Sequence, residues 1–358
     1  MAQNAVGHSV NSIITSARIL VTARLLPAKV FRRGIASKAV APNVPTAYIH
    51  YMSKVVVVKH FGDQRNRPLT QSEYEVLLTT ALRTLSGQSD FAAAVRRYLP
   101  GGTVGMKANC LAHQLNSTPL ALADAFTAIL VKTGFKEKDV VVWERSNREL
   151  ASAGFALNVS GTGRRCVGTD ATVVGYSEEF YSSGEVNSLV SRILTEIVDV
   201  NVNVPVLKDH SVAGLSAGMK NMYGAVNNPN KYHGNNCDPY CAHVNNLEPI
   251  KSKNRLTVID AVRVQYNGGP GYSEDYLAYY NGLVISDDPV AADRVGLEIL
   301  EHLRAINGQP TLERTGRPVR YLASAERLGL GIADIKKIEL RVIMIDKNGR
   351  ESAGELLE

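Results

Sequence analysis

The sequence predicts an α/β fold: a largely parallel sheet flanked by helices, in two α/β lobes behind an irregular amino-terminal extension. Three observations predict it. Apolar runs of about four to eight residues, bounded by polar residues or glycine, recur along the chain, as expected of strands buried on both faces. Helical periodicity separates several of these runs, and that alternation favours parallel strands joined by crossovers. No period of about 20 to 50 residues repeats, which argues against a solenoid or propeller.

Strands are expected at 54–59, 104–106, 140–143, 198–207, 256–262, 283–285 and 338–345, each an apolar run rich in valine, isoleucine or leucine. Thr118-Pro119 supplies a cap and a first-turn proline for a helix whose apolar face runs through Leu122, Phe126 and Ile129 and which Gly134 ends. A second helix starts at Asp288-Pro289, repeats Val295, Ile299 and Leu303 on one side, and closes at Gly308. The stretch 158–184 is rich in Gly, Ser and Thr and marks a boundary. The expected organisation is an extension over 1–53, a first lobe over 54–184, a second lobe with the site over 185–346, and a polar tail over 347–358.

The chain has 358 residues, of which 45% are apolar, enough to fill sizeable cores. Its net charge of +6 is misleading, because residues 1–62 hold eight Lys and Arg and no Asp or Glu, which leaves 32 basic against 34 acidic residues in the body. The body is close to neutral, so a nucleic-acid partner is not expected. Four scattered cysteines do not make a disulfide scaffold in a chain of this size. No segment reaches the roughly 20 uninterrupted apolar residues of a membrane-spanning helix. The extension supports three readings. Arg32-Arg33 fits a degenerate twin-arginine export signal, although Lys38 and two prolines follow it; the acid-free, Arg-containing start fits an organelle presequence; and Met52 fits a true start, which would leave the protein cytoplasmic.

Chemistry is concentrated between residues 208 and 243, which hold three of the eight histidines and two of the four cysteines. Several expected strands also deliver functional groups at one end: Lys107 and Asn109, then Glu144, then Lys208-Asp209-His210, then Asp287-Asp288. If these strands are parallel, their carboxyl ends face one crevice, the usual ligand position in open α/β sheets. Beyond them, His210-Ser-Val-Ala-Gly-Leu-Ser-Ala-Gly-Met-Lys220-Asn221 places two glycines where backbone can approach a ligand and a lysine within reach of the crevice. Lys220 serves there as a nucleophile, if clustering with Lys107 and Lys208 depresses its pKa, or as an anion clamp. His233-x3-Cys237-x3-Cys241-x-His243 has the residue types and spacing of a transition-metal contact, with His233 and Cys237 the leading ligands.

The ordered blocks VGMKANC, VWERSNREL, VPVLKDHSVAGLSAGMKNMYGAV, NPNKYHGNNCDP, RLTVIDAVRVQYNGGP, GLVISDDPVAADRVG and AERLGLGIADIKKIEL resemble the domain of unknown function 362 family. The likeness runs from about residue 54 to residue 340. It implies no settled activity; many relatives carry twin-arginine signals and others ferredoxin-type cysteine clusters, which this chain lacks. A shorter likeness, His210 followed by Gly214-Leu215-Ser216-Ala217-Gly218-Met219-Lys220, is similar to the nickel-pincer lactate racemases. It implies an organic cofactor on Lys220, His210 as acid or base, and His233 or Cys237 beside a metal.

The functional expectation is a metal- or cofactor-dependent isomerase or oxidoreductase acting on a small anionic substrate. Lys208, His210, Lys220 and Glu144 are the catalytic candidates. Lys107, Asn109, Lys220, Asn221 and Asp288 are the cofactor-binding candidates, and His233 and Cys237 the metal ligands. The cofactor is expected to be iron, nickel or zinc, or a lysine-linked organic group. The alternative is a non-catalytic metal-binding protein or an electron-transfer protein with a redox partner.

Overall fold

A computed structural model describes residues 53–60 and 67–357. The readings of Arg32-Arg33 and Met52 lie outside the described residues. The chain enters on β1 (Ser53–His60), where four consecutive valines are buried. It continues through α1 (Gln71–Ser86), α2 (Phe91–Tyr98), β2 (Val104–Ala108), α3 (Leu120–Lys132), β3 (Val140–Glu144), α4 (Asn147–Ser152) and β4 (Arg165–Gly168). A small hairpin of β5 (Tyr181–Ser183) and β6 (Val186–Ser188) precedes β7 (Val200–Val204), β8 (Val206–His210) and β9 (Gly214–Ser216). Three short helices follow, α5 (Gly218–Asn221), α6 (Tyr240–Asn245) and α7 (Glu248–Lys253), and lead into β10 (Asn254–Gln265) and β11 (Leu277–Ser286). The chain closes with α8 (Pro289–Ile306), α9 (Tyr321–Arg327), β12 (Ile338–Ile345) and β13 (Glu351–Ala353).

Strands from both halves of the chain share one mixed, mostly parallel sheet, ordered β13-β12-β1-β11-β10-β7-β2-β3-β4, with β8 paired to β10 and β9 to β8. Segments 54–184 and 185–346 both contribute to it, since β7 lies between β2 and β10. The run from β10 to β4 is parallel, whereas β11 is antiparallel to both β10 and β1. Helices α1 to α3 cover one face, where Leu77, Phe126 and Ile129 meet Met106, Val142 and Val202. The opposite face packs Trp143 and Val141 against Met219, Met222 and Ala242. Nearer β1, that same face packs Val55 and Val57 against Val295 and Ile299 of α8.

Local signals explain the helix ends. Asp288 accepts hydrogen bonds from the backbone N–H groups of Val290 and Ala291 at 2.8 and 2.9 Å, so α8 begins at the expected cap. Helix α3 departs from expectation. Its Thr118 hydroxyl does not cap but donates to Val204 O at 2.6 Å and accepts from Asn109 N at 2.8 Å, tying the helix entry to the sheet. The single strand expected over 198–207 is also two strands. Pro205 has no N–H for a ladder, and the chain steps there from β7 to β8.

Candidate functional site

Strand order explains where a crevice opens. From β2 the chain runs through α3 to β3 and β4 on one side, then returns to β7 on the other side of β2. The β2–β3 crossover covers one face and the helices between β9 and β10 cover the other. Their divergence leaves a gap beyond the carboxyl ends of β2 and β7, the switch point at which α/β sheets bind ligands. Strand alternation then selects the side chains. Lys208 and His210, two residues apart, share one side of β8, while Asp209 faces away to meet Arg317 Nη1 at 2.7 Å and Arg304 Nη1 at 3.4 Å.

A cavity of about 330 Å³ occupies this gap, lined by Asn109, Glu144, His210, Lys220, Asn221 and His233 among others. Glu144 and Asn109 form its floor, backed by Lys107 and Lys208, which are fully buried and do not line it. The Lys107 Nζ donates to Glu144 Oε1 and to Ala108 O, both at 2.7 Å, in a buried ion pair. Glu144 also accepts from the backbone N–H groups of Arg145 at 2.7 Å and Cys110 at 3.2 Å. The Lys208 Nζ donates to Asn109 Oδ1 and Asn116 O, each at 3.0 Å, and has no carboxylate partner among the described residues. Burial lowers its pKa to about 8. Asn109 and Asn221 link the floor to the wall through a 3.1 Å hydrogen bond.

The wall carries Lys220 and two imidazoles. His210 Nδ1 accepts from the backbone N–H groups of Val212 and Ala213 at 3.1 Å, which leaves the proton on Nε2. Burial, then the nearby charge of Lys220, holds its pKa down to about 2, so the ring stays neutral. His233 Nδ1 lies 3.0 Å from Pro229 O and donates to it, so Nε2 accepts from Lys220 Nζ at 3.0 Å. The two rings stack with centroids 5.8 Å apart. The Lys220 Nζ sits 3.7 Å from the Tyr223 ring centroid, with no carboxylate partner among the described residues. Its pKa is lowered by burial rather than by the clustering of lysines that the sequence suggested. Lys220 lies in the only turn of α5, close after the end of β9. Asp293 of α8 holds that turn in place, accepting from the backbone N–H groups of Gly218 at 2.6 Å and Met219 at 2.9 Å.

Two expected members lie elsewhere. Asp288 is at the opposite edge of the sheet because β11 runs antiparallel, and its carboxylate is occupied by the start of α8 and by Ile332 N at 2.8 Å. Cys237 is buried behind the wall, where burial raises its thiol pKa, and it does not line the cavity. Cys241 is buried in α6, whereas His243 Nδ1 pairs with Ser183 Oγ at 3.0 Å. Among the described residues no group of three or more His, Cys, Asp or Glu side chains is placed to hold a metal ion. The glycines of the 210–221 segment also serve packing: a Cβ on Gly218 would lie 2.7 Å from Thr257 Cγ2 and 2.8 Å from Asp293 Oδ1.

Several contributors were not named from sequence. Arg145 and Glu149 line the rim and pair at 2.9 Å, a link visible as an i,i+4 spacing in ERSNREL. Asn203 in the central strand accepts from Asn221 Nδ2 at 2.8 Å and donates to Gly218 O at 2.6 Å. The alternation in VNVNV was the available signal, since amides buried in a sheet core must be hydrogen-bonded. Gly224 passes so close to the ion pair that a Cβ there would lie 2.8 Å from Glu144 Oε1 and 2.9 Å from Lys107 Nζ.

Compared with known proteins, residues 104–298 match the family model described as a domain of unknown function (DUF362). No curated protein matches the chain. Among solved structures, a crystal structure of a protein from Thermotoga maritima, a structural-genomics target, is similar at 12% identity with a TM-score of 0.36. The match covers 69% of this chain and 60% of that one, so this chain spans less than two thirds of that protein. A likeness this weak carries no functional argument.

Proposed function

Because the chain belongs to the domain of unknown function (DUF362) family, whose name carries no activity, we propose a function from the chemistry of the cavity: an enzyme that moves protons at a small anionic substrate, as an isomerase or oxidoreductase. The observation that carries this reading is Lys220, a buried amine facing a cavity without a carboxylate partner among the described residues. Lys208, buried behind Asn109 of the cavity lining, also lacks one among the described residues. Two buried amines in that condition favour a carboxylate or phosphate ligand, whose charge replaces the missing counter-ion.

The residues divide the work by their proton inventories. Neutral His210 presents Nε2–H to an oxygen of the substrate and stabilises negative charge that develops there. Lys220, its proton loosened by burial, accepts or returns a proton at the substrate carbon, or in its neutral form adds to a substrate carbonyl through Nζ to give an imine, the carbonyl oxygen leaving as water with the two amine protons. His233 accepts from Lys220 and orients it. Lys107, Glu144, Asn109 and Asn221 hold the floor. The expected iron, nickel or zinc finds no fitting donor set: both nitrogens of His233 are engaged, and Cys237 is a buried thiol. A lysine-linked organic cofactor fits better, held through Lys220 Nζ, and would supply an electron sink for the substrate carbon.

The test uses pyruvate as a probe, trapped by cyanoborohydride at neutral pH and located by peptide mapping of the full chain. Labelling concentrated on Lys220, and suppressed by excess acetate, is the expected result. Labelling spread evenly over the lysines overturns the proposal. Intact mass of protein from its native host adds a second readout, in which an adduct mapped to Lys220 identifies a resident cofactor.

A further inference from the structure

A second cavity, of about 390 Å³, lies on the other face of the sheet, between α1, α3 and the bend of β10. Its volume falls within the range of about 300–1,000 Å³ typical of small-molecule sites. Leu69, Pro119, Leu120, Val206, Val262 and Tyr279 make its walls largely apolar. Polar residues interrupt them, among them Asn116, Thr118 and Arg263, and two further interruptions, Asp260 and Ser117, carry unpartnered oxygens. Asp260 is fully inside the sheet, yet among the described residues it makes no ion pair. Its Oδ1 accepts from Val262 N at 3.2 Å and from the Tyr74 hydroxyl at 3.3 Å. The Val262 N–H is available because β10 bulges between Ala261 and Arg263, a device that re-aims side chains beside sites. Oδ2 makes no hydrogen bond among the described residues. Ser117, only 8% exposed, also lines the cavity with an unpartnered hydroxyl.

We propose that this cavity is a second ligand site, distinct from the Lys220 site, and that it takes a primary amine carried on a small apolar body. The ammonium would lie against Asp260 Oδ2, donate a second hydrogen bond to Ser117 Oγ, and leave the apolar body on the walls. Burial raises the Asp260 pKa to about 6 against the opposing charge of Arg263, so at neutral pH most molecules hold a buried carboxylate that no cation contacts directly among the described residues. A ligand ammonium supplies that counter-charge, which an alcohol of the same shape does not. Arg263 also lines the cavity and its charge lowers the Asp260 pKa, but it makes no ion pair with that carboxylate, and its guanidinium donates instead to Leu115 O.

The experiment is calorimetric titration of the full chain at pH 7.5 with benzylamine, benzyl alcohol and benzoate. Benzylamine should bind at least about tenfold more tightly than benzyl alcohol, the difference expected of one charge-assisted hydrogen bond, and benzoate should be weakest. Asp260→Asn should lose that preference. Ala153→Leu, which fills the cavity while keeping the carboxylate, should weaken both neutral and cationic probes. Lys220→Ala should leave benzylamine binding intact, which separates this site from the first. Equal binding of amine and alcohol, or unchanged benzylamine affinity in Asp260→Asn, overturns the proposal.

Discussion

Replacing Lys208 by methionine probes how the protein tolerates a charged amine buried behind the floor of the Lys220 cavity. The Nζ is buried among neutral oxygens, and its pKa falls from 10.5 to about 8 on folding. The folded chain therefore holds this proton less tightly than the unfolded chain does. Stability from this group is fully present above pH 10.5, is lost as the pH falls toward about 8, and changes no further below that. A displacement of roughly 2.5 pH units, at about 1.36 kcal/mol per unit, amounts to about 3 kcal/mol. Methionine has similar length and no titration. It also strands Asn109 Oδ1 and Asn116 O, but that cost is independent of pH. Urea unfolding of both proteins from pH 7 to pH 10 isolates the titration, because other groups cancel in the difference. Wild type should gain most of the 3 kcal/mol on the variant between about pH 8 and pH 10. A difference that stays level within about 1 kcal/mol across that interval would mean that Lys208 titrates normally in the folded protein, and the account of the floor would be wrong.

Other consequences follow from the same geometry. Glu144→Gln leaves the buried Lys107 charge uncompensated and should lower stability by about 3–5 kcal/mol in urea unfolding at neutral pH; adding Lys107→Met should recover part of it, because the pair's attraction is offset by its own desolvation. A loss under about 1 kcal/mol for the single variant would show that the pair is solvated. The His210 ring should stay neutral from pH 8 down to pH 4, seen as unchanging ¹⁵N imidazole shifts with the proton on Nε2, since its pKa lies near 2. A titration midpoint near the ordinary 6.5 would remove the basis for a neutral donor.

Much of this protein was legible from local pattern. Strand 338–345 is bounded as expected, and the Asp288-Pro289 cap opens α8 because capping depends on residues adjacent in the chain. The polar groups at the ends of β2, β3 and β8 were also visible, since a buried run that stops at Lys, Asn, Glu or His marks a strand edge by itself. Strand direction was not legible. Asp288 resembles the other strand-end carboxylates in sequence, yet antiparallel pairing of β11 carries it to the far edge. Likewise, His233 and Cys237 are four residues apart, but one meets the cavity and the other packs behind it, because the turn between them buries the thiol. The Lys107–Glu144 pair and the Asp260 cavity depend on which strands become neighbours and where β10 bends. Those are long-range choices made by the packing of both sheet faces at once, and spacing along the chain does not encode them.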